Sequence, residues 1–301
     1  MTHLTATDEP KGPYRWVVLC GVWLIYFSFG LTVAALGPLV TPITNDLKMT
    51  FGEMGTVLGA WPLIYILAAL PCGFLIDRIG PRRGLLIAAV IMGLSGLLRS
   101  AADTHLTLFL AVAIFGFGGP LISIGAPKVI ALLFQGKNRG LAMGIYITGP
   151  GLGGVIAAST TNSVLLPFFD ENWRLVVCAY GFFTLFSGSM WLLLSQNVAG
   201  KIIKSAVSET AKESILKTFK RLATIPTVQL VLALSIGIFF INHGLNNWLP
   251  EIIRAHGLSA ALAGYWASIP TAVSVLSALL IPRYATCLLY TSPSPRDRRL
   301  S

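Results

Sequence analysis

Charge is scarce in this chain of 301 residues. Asp, Glu, Lys and Arg make up 11% of it, apolar side chains make up 54%, and the mean hydropathy is +0.74. A soluble globular domain carries about 25% charged residues, so the composition excludes an ordinary water-soluble fold. Carboxylates are scarcer than cations, 12 against 22. The basic residues sit in short breaks between apolar runs and form no stripe, which excludes a nucleic-acid partner. Cysteines number 4 and lie far apart (Cys20, Cys72, Cys178, Cys287). That spacing excludes a disulfide framework and a metal site, and leaves them as small packed hydrophobes. No carboxylate lies deep in an apolar run: Asp46, Glu53, Asp77, Asp103, Asp170, Glu171 and Glu251 stand at run ends or in loops. A proton relay through buried Asp or Glu therefore has no members here. An integral membrane enzyme lacks its clustered acid–base groups as well, because the one tight pair, Asp103 and His105, stands in a loop without supporting residues. A cleaved leader is not expected, since the first apolar stretch runs from Trp16 past Val40, longer than the roughly 7–15 residues of a secretory core.

What the chain has is lipid-length apolar runs. A spanning helix needs about 20 mostly apolar residues. Eight stretches meet that condition, near 16–40, 53–75, 84–102, 106–134, 140–166, 174–196, 225–249 and 260–282. Basic residues decide their orientation. One side collects Lys11, Arg15, Arg78, Arg82, Arg83, Lys137, Arg139, Arg283 and the basic residues of 197–224; the other holds only Lys48, Arg99, Arg174 and Arg254. The N-terminus and the 197–224 connection are thus expected in the cytoplasm, in a multi-pass protein of a plasma or inner membrane.

Residues 73–84 read Gly-Phe-Leu-Ile-Asp-Arg-Ile-Gly-Pro-Arg-Arg-Gly. A hydrophobic run stops at a charged turn and another begins at once. Gly73 and Gly80 let helices meet closely, Asp77 can cap or bridge, and Arg78, Arg82 and Arg83 pin the turn to the cytoplasmic face. The segment resembles the signature of the major facilitator superfamily, G-x-L-x-D-R-x-G-R-R, which lies between that family's second and third membrane helices. The resemblance implies an all-α membrane protein of the MFS fold, a secondary transporter and not an enzyme, without cofactors. It divides the chain into a cytoplasmic tail (1–15), a complete N-terminal six-helix bundle (16–196), a cytoplasmic linker (197–224) and the first two helices of the C-terminal bundle (225–286). A shift of 209 residues lays Met49-Thr50 on Leu258-Ser259, Gly55 on Gly264 and Leu70 on Leu279, as expected of parallel halves. Thr50-x-x-Glu53 has the form of a capping box. From Cys287 the chain loses its span pattern; residues 287–301 resemble translated adapter sequence or a disordered basic tail. The second half is therefore expected to be truncated.

Four groups of residues stand out as candidate sites. The fifth span carries Gly149-Pro150-Gly-Leu-Gly153-Gly154, which resembles the family's fifth-helix motif G-P-x-x-G-G; close helix packing accounts for it as well as the antiport it is associated with. Where proton-coupled drug exporters carry an arginine ahead of Gly-x-Gly in the fourth helix, this chain has Val112 before Gly116-Phe117-Gly118. Lys128 is the exceptional charge within a span, six residues and hence about 9 Å from Phe134. It either stretches to the cytoplasmic interface or faces a central cavity and attracts an anion. On the seventh span Asn242 and Asn246, like His243 and Asn247, are four apart, and polar side chains in lipid turn to the protein interior. They serve either helix–helix hydrogen bonding or substrate binding, with Tyr26, Ser28 and Thr32 on the first span and Tyr146 and Thr148 on the fifth as matching candidates. Asp77 and the turn arginines are gating and packing elements by the same resemblance, Asp77 meeting a helix end or base of the other half. Trp173-Arg174 reads as an interfacial anchor. The expected activity is alternating-access transport of a small solute, an anion by its polar candidates, with proton or sodium symport and a monomeric carrier. His243 is the titratable group available for protons. An export carrier for small organic molecules is the alternative, and a non-transporting scaffold or sensor the reading from a different class.

Overall fold

The computed structural model describes residues 12–196 and 224–289. The expected tail lies almost wholly outside them, as do the linker, including a surface helix over Glu209–Arg221, and the sequence beyond 289. Among the described residues the regular structure is helical: α1 Tyr14–Ala34, α2 Val40–Asp46, α3 Phe51–Ile79, α4 Pro81–Ser100, α5 His105–Leu133, α6 Gly136–Thr160, α7 Leu166–Phe168, α8 Trp173–Leu194, α9 Pro226–Ala255 and α10 Ala260–Leu289. A π-helical turn over Thr161–Leu165 joins α6 to α7. Eight helical stretches are long and apolar enough to cross a bilayer, with α6 and α7 counted as one. In lipid a backbone group has no water to bond, so long helices that close their own hydrogen bonds are the economical solution for such runs. "Near" below denotes the end of the bundle where α1 begins, and "far" the end where it stops.

Local chemistry sets the helix ends. Thr50 and Glu53 form the expected capping box: the Thr50 hydroxyl accepts from the Glu53 amide at 3.2 Å, and the Glu53 carboxylate accepts from the Thr50 amide at 2.8 Å. Thr104 and Thr107 repeat the arrangement at the start of α5. α1 stops at Ala34, six residues short of the expected Val40. Pro38 disfavours helical backbone at Gly37, and the chain turns before the short α2. The charged turn at 73–84 is itself nearly all helix. Only Gly80 breaks it, with φ of 83°, a backbone that an L side chain resists, and Pro81 opens α4 at once.

Packing follows small residues. α1 lies on α6 and α8, α3 on α5, α4 on α5 and α8, α10 on α6, and α9 on α10. Where α1 crosses α6 the backbones touch: a Cβ on Gly153 would lie 2.2 Å from the Phe27 carbonyl oxygen, and one on Gly30 would lie 2.0 Å from that of Pro150. Gly96 and Gly181 do the same for α4 and α8. Val22, Ile25, Ala88, Met92, Val112 and Phe115 fill the core, while Leu63, Ile66, Leu67 and Leu70 of α3 face outward, as lipid contact requires.

The far end is tied together. Trp173 is buried, not interfacial; its indole donates to Asp46 at 3.0 Å, and Arg174 pairs with Asp46 and, at 3.5 Å, with Asp103. The expected lipid anchor is thus a clasp between α8, α2 and the α4–α5 turn. α9 closes on the same end. The Thr41 hydroxyl donates to Glu251 at 2.8 Å, and Phe51 meets Trp248 edge-on at 6.2 Å.

Candidate functional site

Two polar places stand out along the bundle. Near the middle of the spans, aromatic rings of α1, α3, α5 and α6 meet α9. Tyr26 stacks on Tyr146 with centroids 5.5 Å apart, and on Phe29 at 5.9 Å. Phe29 touches Trp61 at 6.1 Å and Phe115 at 5.4 Å, and Trp61 meets Tyr65 at 6.2 Å. The edge of Trp61 then reaches His243 of α9 at 5.1 Å, with Phe239 stacked on the other side of the imidazole. The Trp23 indole donates to Thr148 at 3.0 Å. Gly119 makes room for this wall, since a Cβ there would lie 2.5 Å from the Tyr65 ring. Pro150 has no N–H to give the Tyr146 carbonyl one turn earlier, which frees a backbone acceptor beside the cluster.

On α9 the asparagines divide their work. Asn246 donates to Asn242 at 2.8 Å and accepts from Thr271 of α10 at 3.2 Å. Asn247 is buried, and its backbone carbonyl lies against Gly37. Ser28 and Thr32, candidates on α1, point instead into the bundle core: Ser28 donates to the Leu24 carbonyl, and Thr32 shares a hydrogen bond of 3.2 Å with Thr184 of α8. The structure thus brings Tyr26, Tyr146 and His243 into one aromatic wall and takes Ser28 and Thr32 out of it.

The second place is at the near end. Lys128 of α5 forms an ion pair with Asp77 in the last turn of α3, both side chains less than half exposed with respect to their full surface. This joins two residues that the sequence reading treats separately. Arg82 donates to Ser195 at 2.8 Å, and the Trp191 indole donates to the Arg82 carbonyl at 3.0 Å, which fastens α4 to the end of α8. Arg78 and Arg83 are exposed. A Cβ on Gly73 would meet Ile124 at an ordinary 3.7 Å, so the close contact expected of Gly73 falls to Gly84, against Ile76 at 2.9 Å. In the fifth-span motif Gly149 and Gly153 meet α1, and Gly154 has ordinary space. Among the described residues no group of three or more His, Cys, Asp and Glu is placed to hold a metal ion.

Sequence reading gives no role to Trp61 and Tyr65, and counts Arg99 only among the charges of the side opposite the N-terminus. Trp61 and Tyr65 carry no motif; Gly119, facing the Tyr65 ring, is the one signal of a ring seated there.

Comparison with known proteins agrees with this architecture. The chain is 26% identical over 268 residues to the uncharacterized transporter YycB of Bacillus subtilis (strain 168), which covers 88% of this chain and 63% of that protein. It is 24% identical over 315 residues to the 4-hydroxybenzoate transporter PcaK of Pseudomonas aeruginosa, covering 91% of this chain and 66% of that one. Among solved structures, a bacterial homolog of the human lysosomal transporter Spinster, inward-facing and unoccupied, superposes with a TM-score of 0.75 at 20% identity, over 94% of this chain and 64% of that chain. The chain therefore spans less than two thirds of the length of these relatives. The family model of the Major Facilitator Superfamily matches residues 22–289. With eight spans, the glycine hinge after Asp77 and this match over most of its length, the chain belongs to the Major Facilitator Superfamily.

Proposed function

We propose that this chain is the larger part of a carrier for a small organic anion with a planar ring, working by alternating access between two helical bundles. The observation that carries the reading is the mid-span wall of Tyr26, Tyr65, Tyr146, Trp61 and His243, where flat apolar faces stand beside hydroxyl and imidazole groups. Such a lining holds a ring by stacking and edge contact, and its few polar atoms fix a carboxylate. The similarity to a 4-hydroxybenzoate transporter supports the ring. Asn242, Asn246 and Asn247 frame the wall on α9. Lys128 is the near-end cation: it exchanges Asp77 for the anion, and release of Asp77 from the ion pair biases the two bundles toward their other arrangement. The near end faces the cytoplasm, by the basic residues collected there. Coupling is by symport, with His243 as the proton-binding group within the described spans, and the carrier is a monomer. Gly149 and Gly153 are used against α1, so they lend no support to an export carrier.

Uptake of radiolabelled benzoate into vesicles bearing the full-length protein tests this. Tyr26→Phe, Tyr146→Phe and His243→Ala are each expected to lower uptake at least several-fold, and Lys128→Ala to lower it more than Lys128→Arg. Uptake unchanged in all of them would overturn the placement of the site, and vesicles that accumulate no benzoate under any ion gradient would overturn the anion reading.

A further inference from the structure

Arg99 lies one residue before the end of α4, yet it is only 1% exposed. Helical side chains lean toward the N-terminus of their helix, so its head group lies deeper than its Cα, on the side of the mid-span wall. There Nη1 donates to the Thr32 carbonyl in the last turn of α1 at 3.1 Å, and the guanidinium sits 5.0 Å from the centroid of Phe115. Its Nε has no partner. No carboxylate among the described residues pairs with it; Asp46 and Asp103, at the same end, pair with Arg174. The groups that meet it are the Thr32 carbonyl and the Phe115 ring. Guanidinium does not lose its proton in proteins. The core of the first bundle thus holds a permanent positive charge with no ion-pair partner among the described residues.

Burying an unpaired charge is strongly unfavourable, and the α1 carbonyl compensates only in part. A carbonyl needs only an N–H donor, so capping α1 does not by itself require the charge. An anion nearby does. Phe115 separates Arg99 from the proposed site by one ring, with Trp61 6.0 Å and Phe29 5.4 Å beyond it. We infer that Arg99 is a specificity-determining residue that selects anions from behind the wall, through its field and without touching the substrate. This rests on the anion-carrier reading above. At an effective dielectric constant near 20, a unit charge roughly 10 Å from a carboxylate favours its binding by about tenfold.

The probes are benzoate and its uncharged analogue benzamide, and the measurement is the affinity of the full-length protein for each. Arg99→Gln keeps an N–H donor on a shorter side chain and removes the charge. It is expected to weaken benzoate about tenfold and leave benzamide unchanged, while Arg99→Lys preserves the preference for benzoate. Equal weakening of both probes, or no change in either, overturns the inference. Should Arg99→Gln fail to fold, the variant Lys128→Ala/His243→Ala decides: a benzoate preference near tenfold persists if Arg99 supplies it, and its disappearance overturns the proposal. An unsubstituted protein that binds no benzoate removes the anion-carrier reading and this inference with it. Benzoate binding with unaltered discrimination in Arg99→Gln removes this inference alone.

Discussion

Gly153 and its neighbour Gly154 show how much one hydrogen can decide. The first lies backbone to backbone against α1, and a Cβ there would come within 2.2 Å of the Phe27 carbonyl; the second has nothing nearer than 3.8 Å. Gly153→Ala is expected to destabilise the protein by about 1–3 kcal/mol, as overpacking does, and Gly154→Ala to be nearly neutral. Thermal unfolding in detergent compares them. Both glycines read alike in the motif, because a sequence gives spacing along a helix and not which neighbour the face meets. Lys128 teaches the same lesson. Its exceptional place within a span is legible from residue types and helical rise, but its pairing with Asp77, 51 residues away, depends on how α3 and α5 cross. For that half-exposed pair, Lys128→Ala and Asp77→Asn are each expected to cost less than about 1 kcal/mol of stability. Their larger effect falls on turnover, and a double-mutant cycle on uptake rates separates the two.

At the scale of elements, what was legible follows from local rules. The eight spans, the cap at Thr50 and the break at Gly80 all rest on neighbours in the chain. The clasp at Trp173 does not, since it arises where α2 and α8 meet across the far end. That clasp has a pH signature. The hydrogen bond from Arg174, aided by the Trp173 indole, holds the Asp46 carboxyl below its usual range of about 3.8. A carboxyl lowered in the folded state stabilises above its unfolded pKa, and the contribution is lost as pH falls through the folded value. The stability difference between the unsubstituted protein and Asp46→Asn should therefore be constant from pH 7 to about 5 and shrink below pH 4. A difference that grows on acidification would refute the assignment. At the same far end, where α3 begins, Thr50→Ala removes the cap and should cost about 1 kcal/mol, read by the same unfolding measurement.

In the whole molecule, the first six spans form one packed body while α9 and α10 attach to it differently. α10 rests along α6, where a Cβ on Gly264 would lie 2.3 Å from the Ala158 carbonyl and one on Gly151 would lie 2.2 Å from Val275. α9 reaches the first bundle chiefly through its far half; Leu230 to Ile241, on its near half, is largely exposed. If the far end must part during transport, a short cross-link between cysteines at Thr41 and Glu251 should stop uptake, and cleavage of the linker should restore it. Linked protein that carries benzoate at the full rate would exclude that motion.

The glycine-lined seam between α6 and α10 has a mechanical consequence. Gly264 lies on the α6 backbone, and the Val275 side chain sits in the notch that Gly151 leaves, so two narrow contacts hold the helices in place of a broad interlocked face. That seam is where a rocking bundle would find its axle, with α9 as the arm that swings about it.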